Sequence, residues 1–219
     1  MAMILHDLVA TGDRRFSPYC WRTKLALAHK GLEYETRPVR FTDIDALSAG
    51  GPRLSLPTLD DGETRVVDSW EIAEHLERSY PDSSSLFPTG REVARFVQGW
   101  TNSVLNVAVI KVVLMAVYDA LDEENQAYFR ESREKRFGVK LESVVADRPG
   151  ALKALRQALQ PMRDVLAAQP FLSGVGPAYA DYIPAGAFLW AEAVGETGLL
   201  EPGDPVAHWL NRTISVLGD

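Results

Sequence analysis

Along the first eighty residues, short apolar runs alternate with stretches of helical period. Met3–Leu8 is an apolar run of strand length. Pro18–Lys30 carries Tyr19, Trp21, Leu25, Ala26 and Ala28 around a helix that stops at Gly31, a favourable residue just past a helix end. Glu33–Val39 alternates and predicts a second strand, and Phe41–Ala49 predicts a short helix ended by Gly50-Gly51-Pro52. Leu56–Leu59 and Thr64–Val67 flank Asp60-Asp61-Gly62-Glu63 and predict a hairpin. Asp68–Tyr80 opens on a capping aspartate, with Glu71 three residues on to complete a capping box, and gathers Ile72, Ala73 and Leu76 on one face. Strand patterns then cease. Arg91–Leu121, Glu123–Ala146 and Ala151–Ala168 predict helices, and Ala180–Val194 is small and apolar nearly all round, as a helix at the centre of a bundle must be. Asp204-Pro205, an N-cap followed by proline at the first helical position, starts a last helix.

The order β-α-β-α-β-β-α predicts a thioredoxin-like α/β domain over residues 1–80. The serine-rich Pro81–Phe87 stretch reads as a linker, and residues 88–219 as an all-α helical bundle. With 219 residues there is enough chain for a sizeable core. A net charge of −7 without a basic run excludes nucleic acid as an expected partner. The single cysteine fits a reducing compartment. No leader pattern opens the chain, and the longest apolar run, Val107–Val117, is short for a membrane span and interrupted by Lys111, so a soluble cytoplasmic protein is expected. The four histidines are scattered without metal-ligand spacing, so no metal is expected. The charged run Arg130–Arg136 reads as a solvated helix face.

Three short motifs bear on chemistry. Ser17-Pro18-Tyr19-Cys20 lies where the first strand hands over to the first helix, as in a thioredoxin-like turn whose first cysteine has become serine. Ser17-Pro18 alone is an ordinary helix start; at the positive end of a helix it also suits a thiolate held by a hydroxyl and by the dipole. Leu56-Pro57-Thr58, just before the hairpin, reads as a cis-proline turn that exposes the Leu56 backbone. At Asp68-Ser69 a second helix start can do more than cap, because its N–H groups and the Ser69 hydroxyl suit a carboxylate while Asp68 suits an ammonium. A thiolate at one helix end and a zwitterion at another fit glutathione. Cys20, one turn after Ser17, reads as a buried packing residue.

Taken together, Ser17–Gly31, Leu56-Pro57, Asp68–Leu76 and Tyr80-Pro81-Asp82 resemble the cytosolic glutathione transferase superfamily, most of all the bacterial β-etherase-type enzymes and their fungal relatives. The resemblance spans essentially the whole chain. It implies glutathione as co-substrate, Ser17 as thiol activator, Leu56 (before Pro57) as backbone partner of the cysteinyl moiety, and Asp68 and Ser69 as γ-glutamyl ligands. Arg53 is implied as a looser partner of the glycine carboxylate, and a homodimer is implied as the assembly. The implied activity is conjugation of glutathione to an apolar, aromatic electrophile, with β-aryl ether cleavage or a non-catalytic glutathione-binding module as alternatives. The electrophile pocket is expected between the two halves, with Phe16 from the Val9–Phe16 loop and Trp100, Asn102, Ser103, Asn106 and Tyr118 from the fourth helix as wall candidates, and few polar residues to orient a charged substrate. One departure concerns the buried helix, where Ala178 stands in the usual cap position three residues before Asp181. Alanine cannot cap, so either Asp181 is itself the N-cap, with Pro184 at the third position, or the helix begins bent.

Overall fold

The computed structural model describes residues 2–48 and 54–218. Strand β1 (Met3–Leu8) is the hub of a four-stranded sheet of order β2-β1-β3-β4. It runs parallel to β2 (Tyr34–Val39) and antiparallel to β3 (Thr58–Asp61), which returns through Gly62 in the left-handed region to β4 (Thr64–Val67). Helix α1 (Pro18–His29) forms the right-handed crossover between the parallel strands. A single helical turn follows Phe41–Asp43 as α2 (Ile44–Leu47), and α3 (Ser69–Ser79) packs against the sheet and α1. The hairpin strand starts at Thr58 and not at Leu56, because Pro57 lacks the N–H a ladder needs. Ala49 and the Gly50-Gly51-Pro52 stop lie outside the described residues.

The chain after residue 87 is helical, in more pieces than periodicity predicts. The expected Arg91–Leu121 helix is α4 (Arg91–Trp100), a wider π-helical turn over Thr101–Leu105, and α5 (Asn106–Asp119). By length and composition this run could also cross a membrane; here it packs on the neighbouring helices. The expected Glu123–Ala146 helix divides into α6 (Glu123–Phe137) and the short α7 (Leu141–Val144), since Gly138 takes a left-handed conformation with φ 70° and terminates the first. Pro161 divides Ala151–Ala168 into α8 (Arg148–Ala158) and α9 (Gln160–Leu166), its missing N–H ending the first helix. Helix α10 (Tyr179–Ala193) is buried along nearly its whole length, and α11 (Pro205–Ile214) starts at the Asp204 cap as expected. The fold is thus a thioredoxin-like sheet layer followed by an all-α bundle.

Helix α10 packs directly on α1, and this contact sets the position of the α1 N-terminus. Gly186 makes it possible, because a Cβ there would press on the Pro18 carbonyl well inside van der Waals distance. Backbone cannot retreat as a flexible side chain can. Gly186→Ala is therefore expected to destabilise the fold by about 1–3 kcal/mol, the usual range for overpacking, read as a lower urea midpoint with an unchanged denaturant slope. An unchanged midpoint would show that the two helices can part without loss.

The start of α10 departs from the first alternative left open by the sequence. Tyr179 is its first residue and Asp181 its third, so Asp181 is not the N-cap, and Pro184 lies inside the helix. The Asp181 carboxylate reaches back to accept from the Ala178 N–H at 3.2 Å, the reciprocal half of a capping box whose hydroxyl half is missing.

Candidate active site

Ser17 caps α1 with its Oγ accepting the Cys20 N–H at 3.2 Å, and Pro18 behind it gives up no helical hydrogen bond. Accepting that N–H leaves the Ser17 O–H able to donate as well. The preceding loop is held on several sides. The Thr11 N–H and Oγ both donate to the Ala120 carbonyl at the end of α5, and the Trp21 indole donates to the Arg15 carbonyl at 2.8 Å. Beneath it the buried Asp7 carboxylate accepts from Lys24 at 2.5 Å and from Arg15 at 3.3 Å. Ser17 therefore faces its surroundings from a fixed backbone.

Leu56–Pro57 is a cis peptide bond, as the motif predicts. The Pro57 carbonyl accepts the Asp68 N–H at 3.1 Å, which brings the two motifs together. That bond also replaces half of the expected capping box, since the N–H that Glu71 would have received is already taken. Asp68 still caps α3 by accepting from the Trp70 N–H at 2.8 Å, and does so at φ 82°, a strained conformation for a residue with a side chain. No hydrogen bond from a described residue reaches the Leu56 backbone. Next to the cap, the Ser69 hydroxyl is buried and has no partner, although the Ser69 carbonyl accepts from the Tyr179 hydroxyl at 2.6 Å. Thr23, Thr42, Thr101, Ser173 and Thr213 also carry buried hydroxyls without a partner among the described residues, so it is the position of Ser69 beside the Asp68 cap that sets it apart. Arg53 lies outside the described residues.

Ser17 and Leu56 open on a cavity of about 560 Å³ between the two halves of the chain. Phe16 lies on its wall, with its ring 5.9 Å from that of Phe41, which in turn packs on Tyr128 and Phe129 of α6. Asn102 and Asn106 line it from the π-helical turn and the start of α5. Trp100, Ser103 and Tyr118 do not line it. Trp100 instead packs on the core, Ser103 donates to the Gly99 carbonyl, and Tyr118 lies under the Arg130 guanidinium.

Several wall groups have no sequence signal of their own. Arg22 is wholly buried in α1, where its Nε donates to the Ile183 carbonyl at 3.2 Å and its Nη2 to Asn102 Oδ1 at 3.0 Å, so it orients that amide. Both amide atoms of Asn106 and the Trp190 indole N–H are buried at the cavity without a partner. Lys111, Arg133 and Arg136 also line it, which corrects the expectation of few polar residues nearby. The run Arg130–Arg136 is accordingly not one solvated face. Arg130 points outward to Glu134 and Glu142, while Arg133 packs half-buried on Phe129 and the exposed Arg136 borders the cavity with Phe137.

Cys20 is fully buried, and burial, followed by the nearby Asp7 charge, pushes its thiol pKa well above the ordinary value. The thiol stays protonated and shielded at neutral pH. Native protein is therefore expected to show no reaction with a disulfide reagent on the timescale at which one thiol per chain reacts after denaturation. Fast titration of the native thiol would refute this. Among the described residues there is no group of three or more His, Cys, Asp or Glu able to hold a metal ion.

Both halves of the chain match known domains. Residues 16–79 match the family description "Glutathione S-transferase, N-terminal domain" and residues 93–204 match "Glutathione S-transferase, C-terminal domain". The glutathione S-transferase-like protein ustS of Aspergillus flavus is 24% identical over 209 residues, covering 82% of this chain and 75% of that protein. The crystal structure of glutathione transferase GSTFuA3 from Phanerochaete chrysosporium superposes with a TM-score of 0.89 at 26% identity, covering 99% of this chain and 97% of that one. The β-etherase LigF of Sphingobium sp. shares the fold with a TM-score of 0.68 at 20% identity, over 98% and 95% of the two chains. With these domains matched in this order, over the sheet that presents Ser17 and the bundle that closes the cavity, the chain belongs to the glutathione S-transferase family.

Proposed function

We propose that the protein is a glutathione S-transferase that joins the glutathione sulfur to an apolar electrophile, with an aromatic ring as its usual body. The observation that carries this reading is the Ser17 hydroxyl at the α1 N-terminus, on the wall of a largely apolar cavity. A thiolate there gains from the helix dipole and from one hydrogen bond. The orphan Ser69 hydroxyl and the Asp68 carboxylate suit the carboxylate and ammonium of the γ-glutamyl group, and the free Leu56 backbone suits the cysteinyl amide, paired as an added strand. Arg53 completes the set as partner of the glycine carboxylate.

In the reaction a carbon–sulfur bond forms as the thiolate attacks. With an aryl halide the carbon–halogen bond breaks and the halide leaves with its electron pair. With a conjugated carbonyl the pair moves to oxygen and the neighbouring carbon takes up a proton. β-Aryl ether cleavage is a second reading, supported by the unpartnered Trp190 and Asn106 donors, which could hydrogen-bond a departing phenolate oxygen. The buried, protonated Cys20 counts against glutathione-dependent reduction.

Glutathione assayed with a chloronitrobenzene, a conjugated aldehyde and a β-aryl ether tests the proposal. Conjugates with either of the first two are expected. Absence of all three products, with glutathione still bound, would favour a binding module. The reading includes a homodimer, and a solution mass equal to one chain at micromolar concentration would remove that part.

A further inference from the structure

Three cations line the cavity and, among the described residues, no Asp or Glu does. The chain as a whole carries a net charge of −7, so this excess does not follow from composition. Elsewhere many of the arginines pair with carboxylates, among them Arg40 with Asp43, Arg65 with Asp60, Arg91 with Glu74, Arg130 with Glu142 and Arg163 with Asp204. Arg133 has no carboxylate partner among the described residues. Its guanidinium lies 4.8 Å from the Phe129 ring centre and 5.5 Å from that of Phe41, and it donates to Ser132 Oγ at 3.0 Å. Burial, with the like charge of Arg136 adding to it, pulls its pKa below the usual arginine value. A half-buried guanidinium beside a second one is a poor arrangement for an empty wall and a good one for holding an anion. Nearby, Trp190 and Asn106 present buried donors without partners.

The order of contacts places this charge relative to Ser17. Phe16 follows the loop and touches Phe41, and Arg133 lies on Phe41 one ring further on. We infer that the electrophile is an aromatic molecule bearing an anionic group, a carboxylate or its equivalent, with the ring along Phe16 and Phe41 and the anion at Arg133 and Arg136. This rests on the transferase reading and narrows its substrate class. Lys111 adds charge to the same wall without being required for the contact. The orphan hydroxyl that suits a carboxylate of glutathione belongs to Ser69, which is not part of this wall.

Two matched pairs test it. Binding is measured by calorimetry, with and without glutathione, for dinitrobenzoate and for its neutral methyl ester. Turnover with glutathione is measured for chlorodinitrobenzoate and its methyl ester, each corrected for its uncatalysed rate. The carboxylate is expected to bind about tenfold more tightly than the ester, the effect of one charge-assisted contact, and added salt should narrow the gap. Arg133→Gln combined with Arg136→Gln should bring the ratio near one, and Arg133→Lys should keep most of it. Equal binding of acid and ester, or a preference that survives the double substitution, overturns the inference. So does a double variant whose KM for glutathione rises while the acid-to-ester ratio stays, since the cations would then serve glutathione. If neither chloro compound is conjugated while the binding preference persists, the transferase reading fails and the cavity's selectivity for aromatic anions stands.

Discussion

Replacing Ser17 by alanine is expected to lower turnover at neutral pH by about 10- to 100-fold. A hydrogen bond to a charged group contributes about 1.5–3 kcal/mol, and removing it raises the pKa of the bound thiol by about 1–2 units. The sign follows from which form the bond favours. On the proposed function the Ser17 O–H stabilises the thiolate, so the wild-type thiol pKa is expected below that of a free thiol, near 8.5 on average, with the rate rising with pH through the lowered value. In the variant the same rise moves to higher pH, and the two enzymes converge in alkaline solution where both thiols are ionised. The glutathione KM should change little, because the γ-glutamyl contacts are untouched. The substitution also removes the cap that Cys20 N–H donates to, a loss of about 1 kcal/mol in stability that a melting curve separates from the rate effect. Thiolate absorbance titrated against pH is the direct measurement. An unchanged titration and an unchanged pH–rate profile would assign activation to the helix N–H groups alone.

The largest expected effect on stability comes from Asp181→Ala. The Asp181 side chain is fully buried and accepts hydrogen bonds from the Leu172 N–H at 2.7 Å, the Ser173 N–H at 3.0 Å, the Ala178 N–H at 3.2 Å and the Trp209 indole at 2.7 Å. These donors come from the loop before α10, from its first turn and from α11, so one carboxylate ties three segments together. Each buried donor left unpaired costs about 1–3 kcal/mol, and relaxation with water entry recovers part of the sum, giving a net loss of about 4 kcal/mol. For a chain of this size that is a fall in melting temperature of about 8–16 °C. Asp181→Asn, which keeps one acceptor oxygen, should fall between the two. A loss under about 1 kcal/mol for the alanine variant would show that the donors find other partners cheaply.

Much of the fold and part of the candidate site could be read from local rules. The caps at Ser17, Asp68 and Asp204 are where one residue's side chain meets N–H groups two or three positions on, so sequence spacing is enough to find them. The same holds for the hairpin at Gly62 and for the apolar stripe of α3. Breaks inside long helical patterns were harder. Gly138 and Pro161 each end a helix that periodicity alone continues, because the apolar period resumes on the far side of the break.

The sequence alone determined the element order, the helix starts at Ser17 and Asp68, and the family that this combination resembles. Tertiary structure decided which side of each helix faces the cavity. It left Trp100, Ser103 and Tyr118 off the wall that Asn102 and Asn106 share, and it set Arg133 half-buried on the cavity while Arg130 found its glutamates outside. It also set Gly186 against the Pro18 carbonyl and brought the Trp209 indole and the loop N–H groups of Leu172 and Ser173 onto Asp181. The physical reason is range. Capping and turn preferences act over three or four residues, whereas burial and charge pairing depend on groups brought together from anywhere in the chain, and a charged residue has the same local pattern whether solvent or another helix lies above it.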